Sequence, residues 1–273
     1  MESQPDHPDV PTGFCTDGTW RHDLWQAAFF KLMNEAVPRL GRKQVKLVTN
    51  TGQLGRAPEV WRELDALPEP PFAAMEEGGF VCPWGGDQKS FKFWNWESNL
   101  AAFSRLRHVK ALLCNHAGPL AGQGLVAMES SDANGMTGWD ALWFSLTSFL
   151  LGFDDVSRNG AMNFTIWSYS EYHWFDEFDP RYLHLGKAKG DFWKRGPIHF
   201  REFEDGWVAV NGGVKDATAI KTPGGPARVL HHGNFKTGQD AALVTSFDLR
   251  AHRGVVLLRE GRQAGNSDNP PGR

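Results

Sequence analysis

The chain has 273 residues, 41% apolar and 22% charged, with 12 Trp, 19 Phe and 3 Tyr, enough apolar material for one large core or two small ones. The formal net charge is -3, from 29 Lys and Arg against 32 Asp and Glu, so no broad basic field exists and neither nucleic acid nor an anionic membrane is expected as partner. The best candidate membrane span, 141–153 (ALWFSLTSFLLGF), falls short of the roughly 18 apolar residues required, carries Ser145, Thr147 and Ser148, and reads as a buried helix. The first residues lack the basic and then apolar pattern of a secretory leader.

Five short apolar runs that end in polar residues punctuate the first two thirds: 13–17 (GFCTD), 45–50 (VKLVTN), 72–77 (FAAMEE), 109–115 (VKALLCN) and 161–168 (AMNFTIWS). Amphipathic stretches alternate with them, which predicts strand and helix units around a parallel sheet. A first helix is expected over 23–40, ended by Pro38 because proline lacks the amide and clashes with the preceding turn. A second is expected over 58–67, with Pro58 at its first position and Val60, Trp61, Leu64 and Leu67 at helical spacing. A third is expected over 97–108 on Leu100, Phe103 and Leu106. The fourth, over 137–151, is apolar on most sides and is expected to be the most buried, with Gly152 as its C-terminal cap.

After about residue 198 the texture changes to short β runs. Residues 198–203 and 207–211 flank Glu204-Asp205-Gly206 as a hairpin, and runs at 217–221, 227–231, 242–249 and 255–259 follow. The predicted organisation is an α/β domain over 1–197, a small antiparallel β appendage over 198–262, and a disordered tail over 263–273 (QAGNSDNPPGR).

Ligands of sheets built from strand and helix units bind at the carboxyl ends of the strands, where the loops converge. The polar residues that end the runs are Asp17, Asn50, Glu76 with Glu77, Asn115 with His116, and Ser168 followed by Glu171. Carboxylates on separate strand ends, flanked by Trp20, Trp84, Trp94 and Trp96, suit glycosidic bond cleavage. One carboxylate attacks or stabilises the oxocarbenium-like centre, the other protonates the leaving oxygen, and flat rings stack on sugar faces. Cys15, Cys82 and Cys114 have neither disulfide-framework nor zinc spacing, and no phosphate loop, nucleophile elbow or HExxH pattern is present, so neither metal nor cofactor is expected.

The blocks Gly13-Phe14-Cys15-Thr16-Asp17-Gly18, Val48-Thr49-Asn50-Thr51-Gly52, Ala74-Met75-Glu76-Glu77-Gly78, Phe149-Leu150-Leu151-Gly152, Tyr182-Leu183-His184-Leu185-Gly186 and the run from Phe200 to Asn211 stand in a characteristic order over roughly residues 10 to 260. This order resembles the second half of a TIM-barrel enzyme of the hypothetical glycosyl hydrolase-like family numbered fifteen. The resemblance implies a partial TIM barrel of about five parallel strands. It also implies Asp17 as nucleophile or charge stabiliser and Glu77 as general acid, with Glu76 the rival because adjacent strand residues face opposite ways. Trp20, Trp84 and Trp167 are then sugar platforms, and Asn50, Asn115, His116 and Glu171 substrate hydrogen-bonding groups.

A full barrel of this type takes typically ~250 residues, and its first three units have no counterpart here. The chain is therefore expected to be a fragment, to pair with a second copy, or to need a missing N-terminal half-barrel that would carry any export signal. The expected function is hydrolysis of O-glycosidic bonds in a poly- or oligosaccharide; the alternative is a non-catalytic carbohydrate-binding fragment of a larger glycosidase. Competing structural readings stand beside the site: Asp17-Gly18 as a turn, His116 as a hydrogen-bonded structural histidine, Glu129 to Asp132 as a capping cluster, His231-His232 as a surface loop, and Arg201 and Glu202 as ties between the β unit and the rest.

Overall fold

The computed structural model describes residues 15–16, 19–82, 89–117, 125–166, 173–237 and 241–261; for Cys15, Thr16, Thr19, Trp20, Val126 and Ala127 it describes the backbone alone. Strands β1 (Cys15–Thr16) and β2 (Thr19–Trp20) pair with each other as an antiparallel two-residue hairpin. The described part of the run expected as the first parallel strand therefore pairs antiparallel with β2, and among the described residues the parallel sheet has four strands rather than about five. Helix α1 (His22–Gly41) follows and runs through Pro38. A proline in the last turn removes one intrahelical bond, and the carbonyl of Pro38 still accepts from the Arg42 amide at 3.1 Å, so the helix continues one turn past the expected stop.

The parallel sheet comprises β3 (Val48–Asn50), β4 (Ala73–Glu76), β5 (Lys110–His116) and β6 (Gly160–Thr165), side by side in chain order. Helix α2 (Pro58–Asp65) connects β3 to β4, and α3 (Trp96–Phe103) connects β4 to β5. Helix α4 (Gly138–Gly152) connects β5 to β6. Strands in one direction with a helix in each connection place every loop that follows a strand at one end of the sheet. Within the described residues β3 and β6 each have one hydrogen-bonded neighbour, so the sheet is open.

Strands β7 (Trp193–Arg195), β8 (Ile198–Glu202), β9 (Gly206–Asn211), β11 (Ala227–Leu230), β12 (Leu243–Val244) and β14 (Arg253–Arg259) form a six-stranded antiparallel sheet in the order β12-β11-β14-β9-β8-β7. β10 (Ala217–Lys221) and β13 (Ser246–Leu249) pair separately. The predicted hairpin is β8–β9, closed through Phe203 to Gly206. Side-chain alternation sends Val208, Val210, Val256 and Leu258 into the core shared with the helices. Trp207, Ala209, Val255 and Leu257 enter a second cluster with Ile220 and Phe247 on the other face. Both faces are covered, which explains why β9 and β14 read as unbroken apolar runs.

The helix with the most extensive contact to both sheets is α4. Thr137 and Asp140 form a reciprocal capping box at its start, and most of its residues are buried against β14, β9, β8, β6 and α3. Its three buried hydroxyls are all satisfied: Ser145 donates to the Ala141 carbonyl at 2.9 Å, Thr147 to Trp143 at 2.8 Å, and Ser148 accepts the Trp96 indole N–H at 2.8 Å. At its other end the buried Arg201 guanidinium donates to the carbonyls of Leu150 and Phe153, and to Gly190 at 2.9 Å. A cation on the last carbonyls of a helix meets both unfilled acceptors and the negative end of the dipole. Arg201 thus ties the antiparallel sheet to α4, as expected, while Glu202 bonds Arg259 within the sheet instead. The tail over 263–273 lies outside the described residues.

Candidate functional site

The loop after β3 is held rigidly against β4. Gly52 and Gln53 both take left-handed conformations, at φ 59° and 55°, and the Gly52 amide donates to the Met75 carbonyl at 2.9 Å while its own carbonyl accepts the Trp61 indole N–H at 2.8 Å. Leu54 is buried, and Gly55 approaches the backbone of α3 so closely that a Cβ there would lie 2.7 Å from the Asn99 nitrogen. Asn95, opening α3, is left-handed as well, at φ 52°. Two non-glycine residues in this sparsely populated region, in loops that meet at one place, are the kind of local strain that collects at functional sites.

Between these loops lies a cleft of about 190 Å³ at the carboxyl end of β4, lined by Gln53, Arg56, Glu76, Glu77, Trp94 and Asn99 among others. Alternation along β4 turns Glu76 inward, to 8% exposure, and leaves Glu77 partly exposed. The Glu76 carboxylate accepts from the Leu54 amide and, at 3.1 Å, from the Gly78 amide. Burial pushes its pKa above the ordinary glutamate value, and neighbouring Glu77 adds to the rise; the two amide bonds and the Arg56 charge oppose it without reversing it. Glu77 accepts from the Asn50 side-chain amide at 3.1 Å, which joins the ends of β3 and β4. Trp94 is 42% exposed at the cleft, and the Arg56 guanidinium sits 5.4 Å from its ring centroid.

Of the residues singled out from sequence, the structure brings together Asn50, Glu76, Glu77 and Trp94. Asp17, Trp84, Trp167 and Glu171 lie outside the described residues, as does the side chain of Trp20. Asn115 is fully buried and engaged entirely with backbone: its oxygen accepts from the Phe80 and Val81 amides at 2.7 and 3.1 Å, and its nitrogen donates to Leu113 and Asn163 at 3.3 and 3.1 Å. With both lone pairs and both hydrogens in use, it fastens the loop after β4 to β5 and β6, and the substrate-binding role expected for it is withdrawn. His116 is buried too and does not line the cleft; burial lowers its pKa. Trp96 packs beneath α4. Arg56, Gln53 and Asn99 were not visible as site residues, although Gly52 and Gly55 bracketing a polar turn after a strand-ending Asn mark a loop worth inspecting.

Elsewhere, a larger cavity of about 320 Å³ is lined by Arg105, Arg107, Asp154, Asp191 and Arg201. It lies where α3 and α4 end, the opposite end of the sheet from the strand-following loops, and Arg107, Asp154 and Arg201 are already engaged with neighbouring backbone or Ser157. That end of such a sheet serves stability. Glu129 accepts the Trp139 indole N–H at 2.8 Å, and Asp132 accepts from Phe91, Asn134 and Met136 amides, so the Glu129 to Asp132 cluster is structural. His231 and His232 lie in a surface loop, as expected, but His232 has partners: its Nδ1 lies 2.6 Å from buried Glu177, and its ring stacks on Trp139 at 4.2 Å.

Cys114, on β5 below the two glutamates, has its thiol pushed up to about 11 by burial and then by Glu77 and Glu76. Iodoacetamide at pH 8 is expected to label it about two orders of magnitude more slowly than an ordinary thiol, because the thiolate is the reactive form. Mass-spectrometric labelling rates check this, and labelling at the rate of a model thiol contradicts it.

No family model matches the chain, and a search of curated proteins finds no match. Among the described residues no group of three or more His, Cys, Asp or Glu is placed to hold a metal ion, and no helix is long and apolar enough to cross a membrane.

Proposed function

We propose that the protein is a glycoside hydrolase of the carboxylate-pair type, acting on an oligo- or polysaccharide laid across the carboxyl ends of the parallel strands. The observation that carries the reading is Glu76: a carboxyl group buried at the wall of a cleft, with its proton retained to higher pH than an ordinary glutamate, is suited to protonate a leaving glycosidic oxygen. On this reading Glu76 rather than Glu77 is the general acid. Glu77, held by Asn50, hydrogen-bonds sugar hydroxyls, Trp94 is a stacking surface, and Asp17 supplies the second carboxylate. The chain-order parallel sheet with a helix in each connection supports placing Asn50, Glu76 and Glu77 on an arc of a (β/α) barrel, with further strands, from a longer chain or a second copy, joining at the open edge of β3.

The test is release of reducing ends from a panel of plant, algal and microbial glycans. Glu76→Gln is expected to lower turnover by about 10²- to 10⁴-fold while leaving binding intact, and Asp17→Asn to abolish it. Saturable glycan binding without turnover by the unmodified chain overturns the hydrolase reading in favour of a non-catalytic carbohydrate-binding module.

A further inference from the structure

We propose that Arg56 is a specificity-determining residue that receives a carboxylate of the substrate, so that the saccharide bound in this cleft is an acidic, uronate-bearing one. The inference rests on the carbohydrate reading of the cleft and adds the chemical class of the sugar.

Arg56 lines the same cleft as Glu76 and Glu77, yet among the described residues its guanidinium makes no hydrogen bond or ion pair; it lies over the face of Trp94 and acts on Glu76 through charge alone. Both nearby carboxylates are already engaged, Glu76 by the Leu54 and Gly78 amides and Glu77 by Asn50. A guanidinium presents a planar fork of donors that matches a carboxylate in two parallel bonds, and a fork left open beside a sugar-sized cleft is complementary to a carboxylate brought by the ligand.

The backbone beneath Arg56 is fixed, which separates it from an ordinary surface arginine. Leu54 is buried on one side of Gly55, Gly55 has no room for a side chain against α3, the Gly52 carbonyl is held by Trp61, and the Arg56 and Ala57 amides donate to the Gln53 carbonyl at 3.0 and 2.8 Å. The Arg56 side chain is itself exposed and is ordered on binding at the ordinary entropic cost, but the fixed turn sets where its fork can reach. The exposed part of Trp94 lies within the same cleft, so one ring can hold the apolar face of a uronic acid residue while Arg56 takes its carboxylate.

The test is titration calorimetry on the full chain with oligosaccharides of galacturonan, glucuronan and alginate, each paired with the same oligosaccharide after reduction of its carboxyl groups to primary alcohols, alongside neutral xylan and cellulose oligomers. At least one acidic member is expected to bind tenfold or more tightly than its reduced partner. Arg56→Gln is expected to erase that ratio without shifting the thermal midpoint, and Arg56→Lys to restore part of it. Equal affinity for acidic and reduced partners, or discrimination that survives Arg56→Gln, overturns the role of Arg56 and leaves the carbohydrate reading standing. Failure of every acidic and neutral saccharide to bind overturns both.

Discussion

Gly254→Val is expected to destabilise the protein by about 3 kcal/mol or more, the upper part of the range for overpacking a core. Gly254 lies on β14 where α4 crosses the antiparallel sheet, and a Cβ there would lie 2.7 Å from the Thr147 Cβ, with its hydroxyl and methyl groups also inside contact distance. Thr147 cannot swing away, because its hydroxyl is bonded to the Trp143 carbonyl and a β-branched side chain in a helix has little rotamer freedom. β14 cannot retreat either, since it pairs with β9 on one side and β11 on the other. The strain must therefore separate α4 from the sheet along the main seam that joins the two halves of the core. Urea unfolding followed by near-ultraviolet circular dichroism checks this, with Gly41→Ala as control because a Cβ at Gly41 meets no atom within 4 Å. Gly254→Ala should fall between, and combining it with Thr147→Ala should recover part of the loss as a coupling energy. An unchanged midpoint for Gly254→Val would show that the seam is looser than drawn.

The same seam shows what sequence carries and what it hides. Strands β3 to β6 were legible because each is a short apolar run with a polar end, and α4 because a helix-length stretch that is apolar on most sides ends at Gly152. Gly254 gave no sign of its role, since close approach of a helix to a strand depends on which elements meet. The β1 run failed for a related reason: four residues with strand propensity satisfy a local hairpin as well as a parallel neighbour, and only pairing decides.

At the site, alternation along β4 said that one of two adjacent glutamates faces inward, and the structure shows Glu76 as that one. The strand-end rule also nominated Asn115, whose amide is consumed by backbone groups from two neighbouring segments; a polar residue at the end of a central strand is as useful for fastening loops as for binding ligands. His232 and Glu177 meet across 55 positions, and Arg56 reaches Trp94 across α2 and β4, so neither pair has a local pattern to read.

Acidification from pH 7 to pH 5 is expected to weaken the fold well before its carboxylates are protonated, and His252 is the largest single cause. Its imidazole stacks on Phe93 at 4.0 Å and meets the edge of Phe144, and burial followed by the adjacent Arg253 charge lowers its pKa from 6.5 to about 4. Burial likewise lowers His116 and His199, the latter despite nearby Glu97. An unfolded chain takes up a proton at each of these rings near pH 6.5, whereas the folded protein resists it, so stability falls as pH drops through the interval from about 6.5 towards 4. For His252 alone the full loss is roughly 2 to 3 kcal/mol after allowing for the part of the ring that solvent reaches. Carboxylates with lowered pKa, such as Glu97 and Asp154, add their own loss only below their ordinary values near 4.5 and 3.8. Glu76 works in the other direction, since its raised pKa lets the folded state take up a proton first as pH falls. The slope between pH 6.5 and 5 therefore belongs mainly to histidine. Urea midpoints measured across that interval should decline steadily in the unmodified chain. They should decline less in His252→Asn, where a residue tolerant of the left-handed backbone at φ 51° removes the titrating group. A midpoint that stays constant from pH 7 to pH 5 would mean that these rings are hydrated or charged in the folded protein, contrary to their packing against Phe93, Phe144 and Trp96.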